Sequence, residues 1–260
     1  VYRISVMEPK KIETILVLPS DEGTEKMNPT LLKNIVPGRF NPFTAIYYNR
    51  QRYIAPTAEA SDETIGFGFN PDNSAKNPNG LQWVTTSAGI PQLCDEQEEW
   101  MRDSIYKILE LRIKLPARYR RMPARYRVFD RYDFRQVMLP ESAGSVEVIT
   151  GAYNGAKGKA LPYSPSHLMQ VELRRGGTAM FRFPSGFTTF LIVTSGSIKV
   201  NQRISIGTDR LLFFGREGET FRLEGESACS VFIASAEPIY DASDTLSEKE
   251  EHSTSLQTTF

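Results

Sequence analysis

Apolar and polar residues alternate in short runs along the C-terminal half of the chain, and this pattern predicts β-strands. Within residues 181–200, apolar side chains such as Phe190 and Ile192 recur at every second position. Clusters of Pro, Ser and Gly interrupt the alternation, as turn residues do between strands. Eight such runs occur between residues 145 and 236. Short strands at near-regular spacing predict a closed β-barrel or jelly roll rather than alternating strands and helices.

The N-terminal half carries the same signal more sparsely. Predicted strands occupy residues 2–7, 11–18, 41–54, 63–69 and 81–86, with polar loops at residues 19–29 and 70–80. Acidic residues precede apolar ones near residue 95, which predicts a short helix that ends near Ser104. Residues 107–115 alternate strictly and predict a strand, although helical spacing is also compatible with them. The overall prediction is an all-β protein with minor helix.

Composition places the chain among ordinary globular proteins and excludes some classes. A length of 260 residues suits one large or two small domains, and 31 basic residues balance 31 acidic ones. This balance gives no overall attraction to nucleic acid or anionic lipid. No run of 18 apolar residues occurs, so no membrane-spanning helix is predicted. Two distant cysteines suit a reducing compartment, and a chain that starts at Val1 without Met fits removal of a targeting segment.

Charge is strongly segregated along the chain. Residues 101–135 hold eleven basic and four acidic residues, and the pentapeptide Pro-Ala-Arg-Tyr-Arg occurs twice, at residues 116–120 and 123–127. Arginine and tyrosine together can bind phosphates and stack on bases, although pairing with the protein's own carboxylates is also compatible with this pattern. Residues 237–260 hold six acidic residues against Lys249 and predict an acidic tail. The candidate partner-binding residues are Arg118, Tyr119, Arg120, Arg121, Arg125, Tyr126 and Arg127.

Several segments resemble the pirin family of two-barrel cupins. Residues 146–177 (VEVITGAYNGAKGKALPYSPSHLMQVELRRGG), 181–200 and 207–239 resemble the family's C-terminal half. Residues 41–49 and 80–90 resemble parts of its first barrel, and residues 108–127 resemble the connection between the barrels. The resemblance implies a double barrel of the cupin or jelly-roll type.

Family members that bind iron do so in the first barrel, through three histidines and one glutamate. The corresponding positions in this chain are Thr57, Glu59, Gln92 and Cys94. Because Thr and Gln are weak neutral ligands, we expect no metal and no cofactor there. The loop 70–80 also replaces a long hairpin of the family. The resemblance therefore implies a degenerate N-terminal barrel.

Four segments are predicted: a degenerate N-terminal cupin barrel (1–115), an Arg/Tyr-rich inter-barrel connection (116–144), a C-terminal pirin-like cupin barrel (145–239) and an acidic tail (240–260). The loss of ligands favours a non-catalytic structural or accessory subunit of a larger assembly, with other protein subunits as partners and a mitochondrial location. Two alternatives stay open. One is a metal-dependent dioxygenase acting on a flavonol such as quercetin, and the other is an RNA- or ribosome-associated binding module.

Overall fold

The computed structural model of the chain describes residues 8–18, 40–49, 62–69, 81–85, 107–123, 125–129 and 133–240. Regular structure in these ranges is almost entirely β-strand, with short 3-10 turns at Ala117–Tyr119 and Pro140–Ser142. The all-β prediction is therefore confirmed. The predicted strand 2–7, the predicted helix near residue 95 and the loops 19–29 and 70–80 lie outside the described residues.

Eighteen strands are described, and most of them are short. In chain order they are β1 (Ile12–Val17), β2 (Phe43–Asn49), β3 (Asp62–Phe69), β4 (Leu81–Thr85), β5 (Lys107–Lys114), β6 (Arg125–Phe129), β7 (Arg135–Met138), β8 (Gly144–Thr150), β9 (Ala152–Tyr153), β10 (Ala156–Lys157), β11 (Ser166–Leu173), β12 (Thr178–Arg182), β13 (Thr188–Ser195), β14 (Ser197–Val200), β15 (Ile204–Gly207), β16 (Arg210–Phe214), β17 (Thr220–Gly225) and β18 (Cys229–Ala236).

A seven-stranded and a four-stranded sheet form the C-terminal barrel. Their strand orders are β1-β16-β13-β18-β11-β8-β7 and β12-β17-β14-β15. Apolar side chains from both sheets fill the space between them, and the stacked rings of Phe181, Phe214 and Phe221 contribute much of it. The predicted C-terminal strands are thus present, and they enclose a packed interior.

Strand β13 is buried on both faces. Its side chains alternate between two cores: Leu191 and Val193 point into the C-terminal barrel, whereas Phe190 and Ile192 point to the opposite side. Residues 188–194 are all buried. This two-sided burial explains why residues 190–193 are continuously apolar.

A third, five-stranded sheet covers the outer face of the seven-stranded sheet. Its order is β2-β5-β3-β4-β6. Leu109, Leu111 and Ile113 of β5 share one hydrophobic core with Phe190, and the rings of Phe43 and Phe190 lie 4.8 Å apart. The two parts of the protein therefore pack through sheet faces, and the far face of the five-stranded sheet points away from the C-terminal barrel.

Strand pairing differs from the predicted segment boundaries at three points. Strand β1 was assigned to the N-terminal barrel, but it pairs with β16 at the edge of the seven-stranded sheet. Strand β6 lies in the predicted connection, yet it pairs with β4 of the five-stranded sheet. Strand β7, from the same connection, pairs with β8. Local sequence patterns could not show the pairings of β1 and β6, because each joins residues that are distant in sequence. Strand β7 was missed because it follows a charged stretch.

The turn at Gly196 is a corner between sheets rather than a hairpin. It joins β13 of the seven-stranded sheet to β14 of the four-stranded sheet. Gly196 has φ of 74°, and a Cβ there would lie 2.2 Å from the carbonyl oxygen of Ala228. Only glycine fits this close approach at a positive φ. The alternation in residues 181–200 thus marks strands that cross repeatedly between two sheets.

Candidate functional site

The far face of the five-stranded sheet is where β5 places its charged residues. Leu109, Leu111 and Ile113 are fully buried in the shared core, and successive residues of a strand point to opposite faces. Glu110, Arg112 and Lys114 therefore belong to the far face. Arg112 is only 9% exposed although it carries a permanent charge. A buried guanidinium is costly unless it interacts with polar groups, so this face is polar within the protein.

Backbone register extends this polar face across the sheet. Arg112 pairs with Thr64, Thr64 pairs with Val84, and Val84 pairs with Tyr126. The neighbouring row joins Tyr47, Glu110, Gly66, Gln82 and Val128. Directly paired positions lie on the same face of a sheet. The backbone rows through Thr64 and Gly66 therefore belong to the face that carries Arg112.

The predicted ligand positions Thr57, Glu59, Gln92 and Cys94 lie outside the described residues, and the structure does not test them. Among the residues that are described, no group of three or more His, Cys, Asp or Glu could hold a metal ion. The 260 residues contain two histidines, so they cannot by themselves supply the three that the family's iron site uses. The donor set of this chain does not fit that site.

His167 belongs to the C-terminal barrel and is separate from the polar face. Its ring packs near the rings of Phe183 and Phe187, at centroid distances of 5.2 and 6.2 Å. The backbone N–H of Ala152 donates to its Nδ1 at 3.4 Å. Burial lowers the pKa of His167 and favours the neutral imidazole. His167 is thus a satisfied histidine that packs against aromatic rings. The second histidine, His252, lies outside the described residues.

Tyrosines and arginines of the Arg/Tyr-rich segment form a stack that joins the two parts of the protein. The rings of Tyr119 and Tyr163 lie 4.6 Å apart. The guanidinium of Arg118 lies 4.7 Å from the centre of the Tyr119 ring, and that of Arg125 lies 5.3 Å from the Tyr163 ring. Such cation–π contacts hold arginines in place at a protein surface.

The remaining candidates of this segment have different environments. Arg120 is half-buried, and its Nε donates to the carbonyl oxygen of Leu115 at 3.1 Å. Arg121 and Arg127 are exposed. Tyr126 lies in β6, where its backbone pairs with Val84. The structure therefore brings Arg118, Tyr119 and Arg125 together.

Sequence reasoning missed Arg112, Tyr163 and Lys10. Lys10 is 1% exposed, and its Nζ lies 3.5 Å from the carbonyl oxygens of Gly215 and Arg216. Burial lowers its pKa to about 8, and the charge of Glu219 opposes this shift. The alternation of β5 could have drawn attention to Arg112. Nothing local indicates the burial of Lys10 or the stacking of Tyr163, because both depend on contacts between distant segments.

Comparison with known proteins bears on the fold and the family. Residues 168–242 match the family profile described as Pirin C-terminal cupin domain. Two Pseudomonas aeruginosa proteins are similar: "Putative quercetin 2,3-dioxygenase PA2418" (27% identical over 163 residues) and "Putative quercetin 2,3-dioxygenase PA3240" (29% over 175 residues). The first match covers 62% of this chain and 57% of the relative, and the second covers 63% and 58%. The chain thus spans less than three fifths of either relative.

A solved structure shows the same fold along nearly the whole chain. It is described as quercetin 2,3-dioxygenase from Acinetobacter baumannii, with a TM-score of 0.72, 17% identity, and coverage of 95% of this chain and 98% of that one. At this identity the likeness concerns the fold alone. It supports the double-barrel cupin architecture, including the part that the family profile does not match.

The comparisons contradict the prediction of a non-catalytic accessory subunit. Both Pseudomonas relatives are named for an enzyme activity, and that prediction rested on ligand positions outside the described residues. The label of pseudo-enzyme and the assignment to a mitochondrial complex have no support here. A mitochondrial location, protein partners and an RNA partner remain predictions. In the part of the chain that the structure describes, no helix has the length and apolar character to cross a membrane.

The profile match concerns the C-terminal barrel. The matched residues run from β11 through β18, the strands that build most of the C-terminal barrel. Residues 168–242 thus match a pirin C-terminal cupin domain, and the chain as a whole has the double-barrel cupin fold.

Proposed function

We propose that the protein is a dioxygenase that cleaves a flavonol of the quercetin type. The observation that carries the proposal is the pair of Pseudomonas relatives named as quercetin 2,3-dioxygenases, which match this chain over 163 and 175 residues. The fold agrees with that of a structure described by the same activity. In the proposed reaction, one dioxygen is consumed for each flavonol whose central ring is cleaved.

The polar face of the five-stranded sheet is the described surface best suited to such a substrate. Flavonols are flat, aromatic and rich in hydroxyl groups, and an ionised hydroxyl is an anion that a guanidinium binds strongly. Arg112 lies on this face and is 9% exposed. Its proposed role is to hold and orient the substrate's oxygen. The family's metal would supply oxygen activation, but the two histidines of this chain do not fit a site of three.

Turnover of quercetin tests the proposal directly. The purified full chain is incubated with quercetin in air-saturated buffer, alone and after loading with each of iron(II), nickel(II), cobalt(II), manganese(II) and copper(II). Quercetin loss is followed by absorbance and dioxygen uptake by an electrode. We expect one dioxygen consumed per quercetin lost under at least one metal condition. Absence of turnover under every condition, while the Acinetobacter enzyme is active in the same assay, would overturn the proposal.

Substitution of Arg112 tests its proposed role in substrate binding. Because a hydrogen bond to a charged group contributes about 1.5–3 kcal/mol, Arg112→Gln is expected to lower kcat/KM about tenfold or more, mainly through KM. Arg203→Gln, at an exposed position beyond β14, is the control and should retain full activity. Urea unfolding of both variants separates a lost contact from a lost fold. Unchanged KM in a folded Arg112→Gln protein would remove Arg112 from substrate binding.

A further inference from the structure

Four exposed arginines form a positively charged surface where the five-stranded sheet meets the C-terminal barrel. Arg118 and Arg121 lie at the 3-10 turn after β5, and Arg125 and Arg127 lie on β6. We call these four residues the arginine surface. Within the described ranges, none of the four forms an ion pair with a carboxylate. Four exposed cations within residues 118–127, without a carboxylate partner among the described residues, suit a polyanion.

Two of the four guanidinium groups are held in place before any ligand arrives. Arg118 lies over the ring of Tyr119 and Arg125 over that of Tyr163. A planar guanidinium fixed in this way loses less conformational freedom when it binds an anion. Its N–H edges can still donate to a carboxylate or phosphate.

The same stack argues against single-stranded nucleic acid. Proteins that bind single strands offer aromatic faces on which successive bases stack. Here Tyr119 and Tyr163 lie against each other at 4.6 Å, and each ring also contacts a guanidinium. The described part of the surface therefore offers cations without a free stacking platform. A carboxylate-rich polypeptide fits this chemistry better than RNA.

We propose that the arginine surface binds the chain's own acidic C-terminal segment, residues 241–260. Charge complementarity is the first argument. The segment contains one lysine, Lys249, and five carboxylates: Asp241, Asp244, Glu248, Glu250 and Glu251. Its net charge is 1 − 5 = −4 with histidine neutral, against four positive charges on the arginine surface.

The place where the described chain ends is the second argument. The side chain of Asn41 exchanges two hydrogen bonds of 2.8 Å with the backbone of Ile239, and Arg216 donates to the hydroxyl of Tyr240 at 2.7 Å. Asn41 adjoins β2, and β2 and β6 are the two edges of the five-stranded sheet. Four inter-strand spacings separate these edges, or about 19 Å. Twenty residues extend up to about 70 Å, so the segment can reach the arginine surface.

Tethering makes such a contact effective. Exposed ion pairs are individually weak and are screened by salt. A segment attached to the same molecule, however, has an effective concentration of about the millimolar range. The proposed contact is therefore intramolecular, dependent on ionic strength and independent of protein concentration.

Arginine-directed labelling of the full chain tests the proposal. Phenylglyoxal modifies accessible guanidinium groups, and mass spectrometry gives the rate at each site. The parent is compared with a variant in which the five carboxylates are neutralised: Asp241→Asn, Asp244→Asn, Glu248→Gln, Glu250→Gln and Glu251→Gln. We expect labelling of the arginine surface to rise about threefold in the variant, the change that a weak ion-pair contact provides. Arg174 and Arg175, exposed between β11 and β12, are internal controls and should not change.

Two further conditions make the result decisive. At 1 M sodium chloride the parent should label at the rate of the variant, because salt screens the contact. Equal labelling of parent and variant at low salt would overturn the proposal. An oligouridylate RNA is added in a separate arm. Protection of the arginine surface by this RNA, equally strong in parent and variant, would identify an external polyanion as the occupant and would also overturn the proposal.

Discussion

The seven-stranded and five-stranded sheets pack face to face but distribute their residues in opposite ways. In the seven-stranded sheet, β13 buries side chains on both faces, with Phe190 in one core and Leu191 in the other. In the five-stranded sheet, β5 buries Leu111 on one face and places Arg112 on the other. The first sheet thus provides packing for two neighbours, whereas the second provides one packing face and one polar face.

This difference shows that the sequence signal for the fold and the residues of the candidate site lie in different sheets. The family profile matches residues 168–242, which include β13, the strand buried on both faces. Packing constrains residue type there, so the sequence signal is strong. The candidate site lies on the polar face of the other sheet, where Glu110 and Arg112 alternate with core leucines. A scaffold of this kind permits chemistry to change while the fold persists.

Removal of Phe190 is the strongest way to break the link between the sheets. Its ring is fully buried and lies 4.8 Å from that of Phe43 and 5.3 Å from that of Phe213. Phe190→Ala is expected to lower the free energy of unfolding by about 3–5 kcal/mol, measured by urea titration. Hydrogen exchange should increase in both β2 and β18.

Phe181 supplies the matched comparison, because its ring is equally buried but lies inside the C-terminal barrel. Phe181→Ala is expected to lower stability by a similar amount, yet to leave exchange in β2 slower than in the Phe190→Ala protein. If Phe190→Ala left exchange in β2 unchanged, the shared core would not couple the two sheets.

The sequence predicted the strands far better than the site. Strands β11, β13 and β18 follow from their apolar runs because burial on two faces leaves little room for polar residues. The edge strand β6 was missed because two of its residues are exposed arginines and its pairing partner, β4, lies forty residues away. The alternation of charged and apolar residues in β5 indicates Arg112 only weakly. The contact between Tyr119 and Tyr163 cannot be predicted from local sequence, because it depends on the folded arrangement alone. The four predicted ligand positions remain untested.

Lys10 extends the comparison to the C-terminal barrel, because it is a buried charged residue there. Burial lowers its pKa from 10.5 to about 8. Between these values the unfolded chain binds more protons than the folded one, so stability due to this group rises as pH increases from 8 to 10.5. The full rise is about 3 kcal/mol. Below pH 8 both states are charged, and the cost of burying the ammonium is fully present.

Lys10→Met should therefore be more stable than the parent at pH 7, and the difference should shrink as pH rises to 10.5. Urea unfolding at several pH values measures it. Burial also raises the pKa of Tyr153, and that of Cys229 to about 11, but both groups occur in parent and variant and cancel in the difference. Lys11→Met, at an exposed neighbouring position, is the control. If the difference in unfolding free energy between Lys10→Met and the parent did not change with pH, Lys10 would be charged and well solvated in the folded protein.

Substitution of Asn41 tests the hydrogen bonds between its side chain and the backbone of Ile239, which we expect to contribute least to the contact between the two parts of the protein. Its side chain donates to the carbonyl oxygen of Ile239 and accepts from the backbone N–H of the same residue, both at 2.8 Å. Asn41→Ala is expected to lower stability by about 1–2 kcal/mol and to increase hydrogen exchange in β2 while β14 stays protected. Gln136→Ala is the matched amide control, because Gln136 bonds to Ser145 within the seven-stranded sheet. Equal exchange in β2 for both variants would mean that the two side-chain bonds of Asn41 add nothing to the coupling between the sheets.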